Sequence, residues 1–177
     1  VPLAICGCCG SLKHQLTSRR VRWLLPLLVL LGLTLRVAQW VYQAPIWHDE
    51  RMLVDNIESK DARHLLGPLD KNVAAPPAFL LTLRGIYDRF GHSSMMYRLP
   101  ALISSFFALV LFALLARQLL APVTAVIVTT LFVLGDRLIW HSVEIKPYMT
   151  DTGVACLLLW IYFSNLKPAR RVAIISI

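Results

Sequence analysis

The sequence predicts an all-α protein that crosses a membrane several times, and three observations carry that expectation. Apolar residues make up 57% of the chain, and the mean hydropathy is +0.63, well above an ordinary soluble domain. These residues fall in blocks too long and too continuous for a soluble core, and several approach the roughly 20 needed to cross a bilayer as helix. Aromatic residues and prolines punctuate the block ends, as they do at membrane interfaces and in first helical turns. The net charge of +8 does not indicate nucleic acid, because no stripe of Lys and Arg with interleaved aromatics accompanies it. The basic residues lie instead beside the apolar blocks, where they set topology.

In chain order, residues 1–22 read as a cytoplasmic tail. Its Cys6, Cys8 and Cys9 lack the partners of a zinc site and read as free or lipidated thiols. The first span is Trp23–Val41. Asp49–Leu66 is compatible with a short surface helix, ended by Gly67-Pro68. Pro76–Phe90 has about 15 residues, too few to cross, and at about 100° per residue it gathers Phe79, Leu80, Leu83, Ile86, Tyr87 and Phe90 on one face. That pattern predicts a helix lying in the membrane interface, with a surface helix on a soluble lid as the alternative. Three further spans follow at Leu99–Leu120, Pro122–Trp140 and Pro147–Leu166, Pro100 and Pro122 falling in first turns. Residues 172–177 read as the start of another apolar run, and the chain as part of a longer protein.

Lys13, Arg19, Arg20 and Arg22 precede the first span, Arg117 ends the second, and Lys167, Arg170 and Arg171 follow the fourth. Placing all three groups in the cytoplasm gives four alternating spans. Residues 43–98 and 141–146 then share the outer face. Each of these loops carries an acidic cluster beside an apolar run: His48-Asp49-Glu50 and Glu144-Ile145-Lys146, with Asp151 one turn into the fourth span. Charges at that depth are costly, so they are expected to be paired or functional.

Such clusters suit chemistry at a membrane surface. A carboxylate, Asp49 or Glu50, can take a proton from an attacking group. A cation can stabilise charge growing on a leaving phosphate, and Lys146, Lys71 and Arg98 are candidates. Glu144 or Asp151 could orient an acceptor. The bland readings are a helix cap for Asp49 and Glu50 and a helix-stapling ion pair for Asp151, expected to face inward against Lys146 or an arginine. Arg36, inside the first span, is expected to snorkel outward or pair with an acid. His48 and His141 could join Asp49 and Glu144 around a divalent cation, but no helical His-x-x-x-His pair supports a metal site. No phosphate loop, dinucleotide fingerprint or nucleophile elbow is present, so soluble nucleotide donors are not indicated.

Four pieces between Arg36 and Tyr162 carry a resemblance. They are Trp47-His48-Asp49-Glu50, then Ala75-Pro76-Pro77-Ala78-Phe79-Leu80-Leu81, then Phe90-Gly91-His92-Ser93 leading into Tyr97-Arg98-Leu99-Pro100-Ala101-Leu102, then Glu144-Ile145-Lys146-Pro147-Tyr148. In that order and spacing the chain resembles polyprenyl-phosphate-sugar-dependent glycosyltransferases of the GT-C superfamily. The likeness is to the group of the protein O-mannosyltransferases and the lipid A aminoarabinose transferase. It implies a transmembrane domain over 23–171 whose first outer loop is acidic and carries juxtamembrane helices. It implies Asp49 as catalytic base or acceptor-binding acid with Glu50 beside it, and Glu144, Lys146 and Asp151 completing the site. The implied donor is a lipid-linked sugar in the plasma membrane, used at the outer face with inversion. Some relatives carry a basic residue immediately before Pro-Pro, whereas here Lys71 lies upstream of Pro76. The alternative class is a non-enzymatic polytopic protein, transporter-like or scaffold, whose charges serve gating or packing. The sequence sets no oligomeric state.

Overall fold

The computed structural model describes residues 8–165, and side chains from residue 23 onward. It is all-α, with no strand among the described residues. Helix α1 (Cys8–Tyr42) runs through the first predicted span and back into the expected tail, whose thiols lie outside the described side chains. Helix α2 (His48–Ser59) and two short 3₁₀ turns, His64–Leu66 and Asp70–Asn72, lead to α3 (Pro77–Phe90). Next come α4 (Ser94–Tyr97), α5 (Leu99–Leu119), α6 (Pro122–Leu134), α7 (Asp136–His141) and α8 (Tyr148–Asn165). Prolines in the first turns of α3, α5 and α6 sit where a missing N–H costs nothing.

By length and composition, two helices can cross a membrane, Trp23–Tyr42 and Ser94–Leu119. The third expected span is broken: α6 is 13 residues long, about 20 Å at 1.5 Å per residue, and Gly135 separates it from α7. The fourth, α8, has 18 residues and carries Asp151 in its first turn, while Leu166 lies outside the described residues.

Helices α1, α5, α6 and α8 form a bundle in which α5 packs most extensively on α8, and α1 on α6. Small residues set these approaches. A Cβ on Gly32 of α1 would lie 2.7 Å from a Leu109 methyl and 3.2 Å from one of Val133. One on Gly153 of α8 would lie 3.2 Å from the Ser104 carbonyl. Close approach through small residues is how membrane helices associate when lipid removes the hydrophobic drive.

Helices α2 and α3 form a lid with its own core: Leu53, Val54, Ile57, Leu65, Phe79, Leu80, Leu83, Tyr97 and Ile145. The apolar stripe of α3 forms as expected: Phe79, Leu80 and Leu83 are buried and Ile86 and Tyr87 pack on the same core, facing α2, while Phe90 at its end is exposed. At its end the chain turns at Gly91 with φ of +67°, a left-handed backbone that glycine adopts without strain. Arg84 closes the other helix of the pair. Its Nη1 donates to the carbonyls of Ile57 (2.9 Å) and Lys60 (2.7 Å), satisfying acceptors at the C-terminus of α2.

Candidate functional site

The bundle and the lid meet where α1 ends and α8 begins. Glu50 makes the junction. One carboxylate oxygen accepts from the Trp47 backbone N–H at 2.9 Å, the capping arrangement for the first turn of α2. The other accepts from the Ile145 N–H at 2.7 Å, across 95 residues of sequence. Arg98 stands 3.9 Å away and donates to the Ala44 carbonyl at 2.6 Å. Both charged side chains are only 2% exposed, so this pair ties together three segments away from solvent.

Because Glu50 holds Ile145, the residues beside them in sequence face one another. Asp49 and Glu144 line a single cleft of about 460 Å³ with Trp47, His48, Arg137, Trp140 and His141. Asp49 is exposed and makes no hydrogen bond or ion pair among the described residues. Glu144 pairs with Nδ1 of His141, whose ring packs against Tyr148. Trp47 and Trp140 meet edge to face at 5.9 Å and form an aromatic wall. Among the described residues, no group of three His, Cys, Asp or Glu side chains gathers as a metal-ligand set.

The remaining sequence candidates divide. Arg98 is locked behind the cleft by Glu50 and Ala44. Lys71 is elsewhere: it binds Asp55 at 2.7 Å in a separate cleft of about 450 Å³ lined by Asp55, Asn56, Glu58, Ser59, Asp70 and Lys71 itself. That contact holds the Asp55 carboxyl below its usual range. Lys146 is half-buried and forms no ion pair among the described residues. Asp151 corrects the inward-facing expectation: it is exposed on α8 and likewise unpaired. Arg36 corrects its own: it is fully buried, neither snorkelling nor paired with an acid, and donates to the carbonyls of Gly32 (3.0 Å) and Phe132 (3.4 Å).

Sequence reasoning missed Arg137, the cation that does line the Asp49 cleft. Reading Pro122–Trp140 as one span hid it. The available signal was Gly135-Asp136, a helix breaker followed by an acidic residue suited to a new first turn. No family model, curated protein or solved structure matches this chain.

Proposed function

We propose that the chain is part of a multi-pass membrane glycosyltransferase that moves a sugar from a polyprenyl-phosphate donor to an acceptor at the outer face. The observation that supports this reading is the meeting of Asp49, Glu144 and Arg137 in one aromatic-walled cleft at the end of an apolar bundle. A cleft at that level suits a substrate whose tail stays in lipid while its phosphate and sugar reach water.

In the proposed reaction the acceptor oxygen bonds to the anomeric carbon as the bond from that carbon to the phosphate oxygen breaks. The electron pair leaves with the polyprenyl phosphate. The proton of the acceptor hydroxyl passes to Asp49, the exposed and unpaired carboxylate of the cleft. Arg137 offsets charge on the departing phosphate, a role for which Lys71 and Arg98 are poorly placed. Glu144, oriented by His141, aligns the acceptor. Glu50 acts as a positioning residue, since both its oxygens are already bound.

The decisive variant is Asp49→Asn in the full-length protein, assayed in membranes for transfer from a polyprenyl-phosphate sugar. Loss of the base should lower the rate about 10²–10⁴-fold with donor binding retained. Near-normal turnover would remove Asp49 from the mechanism. A second reading, a charge-gated transport protein, draws on the break between α6 and α7, because discontinuous helices recur in transporters. It would be favoured if wild-type membranes bound no polyprenyl phosphate.

A further inference from the structure

Helix α6 stops after Leu134, and Gly135-Asp136-Arg137 separate it from the apolar Leu138 and Ile139. The carbonyls of its last four residues therefore have no donor inside the helix. Where such acceptors are buried, they are costly unless another group reaches them. The chain resumes as α7 when the Ile139 N–H donates to the Gly135 carbonyl at 3.0 Å. Phe132 is one of those last four residues, and its carbonyl accepts from Nη2 of Arg36.

Arg36 is 0% exposed and lies six residues inside the end of α1, about 9 Å along the helix. No carboxylate pairs with it among the described residues. What faces its charge is the negative end of α6, where a cation is favoured. The lid contains the same device: Arg84 reaches the C-terminal carbonyls of α2 from a neighbouring helix. The difference is that Arg84 also pairs with Asp88 at 2.8 Å, whereas Arg36 has the carbonyls alone.

We infer that Arg36 is a positioning residue: it holds α6 broken at Gly135, and the break turns Arg137, Trp140 and His141 into the Asp49 cleft. An unbroken helix over 122–141 would extend the line of α6 instead. Gly135 needs no left-handed backbone, since its φ is −58°, so the glycine alone does not force the break. The part of this inference that concerns what α7 is positioned for rests on the transferase reading. The break itself does not.

The test uses the full-length protein in lipid nanodiscs, with Arg36→Met, Arg36→Lys and the matched core truncation Val133→Ala. Backbone hydrogen exchange at 135–141 should quicken about tenfold in Arg36→Met, the loss of roughly one charge-assisted hydrogen bond. Exchange in the lid helix 48–59 should stay unchanged. Arg36→Lys should fall between wild type and Arg36→Met, because an ammonium keeps the charge but not the forked donor. Val133→Ala should lower the melting temperature without the local signature. Under the transferase reading, Arg36→Lys also lowers kcat more than it raises KM for the lipid donor, because Arg137 acts on charge that grows at the departing phosphate.

Unchanged exchange at 135–141 in Arg36→Met overturns the inference, as does the same exchange pattern in Val133→Ala. If Arg36→Met does not fold, Arg36→Lys decides: wild-type exchange at 135–141 overturns the inference, and faster exchange confined there supports it. Absence of sugar transfer in the wild type would sink the proposed function while leaving the exchange result readable.

Discussion

The lid and the bundle solve opposite problems with one chain. In the lid, large side chains such as Leu53, Ile57 and Leu83 are fully buried, and ion pairs such as Arg51–Asp55, Lys60–Asp70 and Arg84–Asp88 lie at the surface. In the bundle, Ala101, Ala108 and Ser105 are buried while Leu30, Phe107, Leu131 and Leu158 point outward. The lid buries its large side chains around one core, and the bundle exposes the broad apolar surface that suits lipid. Polar interior groups follow the same divide. The buried arginines of the bundle and its edge, Arg36 and Arg98, are held by backbone carbonyls, with Glu50 added for Arg98 at the junction.

The junction should be the most sensitive point. Glu50→Ala removes the partner of a buried arginine and the acceptor of two backbone N–H groups at once. Removing one member of a buried pair typically costs about 3–5 kcal/mol. Thermal unfolding in detergent should show a loss of that size, and the lid should detach from the loop carrying Glu144. Asp49→Ala, one residue away but exposed, should leave stability within about 0.5 kcal/mol. Equal effects of the two substitutions would dissolve the distinction between the positioning carboxylate and the free one.

A second pair of variants sharpens the contrast between the regions. Ile57→Ala opens a cavity in the lid core and should cost about 2–5 kcal/mol. Leu131→Ala, on the outer face of α6, should change detergent stability by less than about 0.5 kcal/mol. A large loss at Leu131 would mean that this face is covered by protein rather than lipid.

Parts of this arrangement were legible in the sequence and parts were not. The shared cleft of Asp49 and Glu144 agrees with the expectation, drawn from the Lys and Arg beside the apolar blocks, that residues 43–98 and 141–146 lie at one end. The apolar stripe of α3 was equally visible, but its partner was not. Phe79 and Leu83 satisfy the same pattern whether they meet lipid or Leu53 and Ile57. The break at Gly135 was masked by the hydropathy on both sides of it. The acceptor for Arg36 left no trace at all, since a backbone carbonyl belongs to every residue type. Among the cations, spacing could not tell Lys71, drawn away by Asp55, from Arg137, which lines the cleft.

The smallest effect should come from the Lys71–Asp55 pair on the lid surface. Its hydrogen bond and charge hold the Asp55 carboxyl below the usual range of about 3.9 for an aspartate. A carboxyl with a lowered folded-state pKa stabilises the fold above its unfolded value and loses that contribution as pH falls through the folded one. Lid stability from this pair should therefore hold from neutral pH down to about 4 and decline below it. Both partners are substantially exposed, so the contribution lies near the low end of about 0.2–1 kcal/mol and shrinks with added salt. Lys71→Met should remove the part of the acid dependence that this pair supplies. Lys71→Gly should remove it too, but with less loss at neutral pH, because residue 71 has a φ of +62° that glycine tolerates better. Urea unfolding of the lid at neutral pH and at about pH 3, with and without salt, measures each term. If Lys71→Gly proves no more stable at neutral pH than Lys71→Met, the left-handed turn carries no strain. An acid response unchanged in both variants would show that the lid's pH dependence arises from other carboxylates.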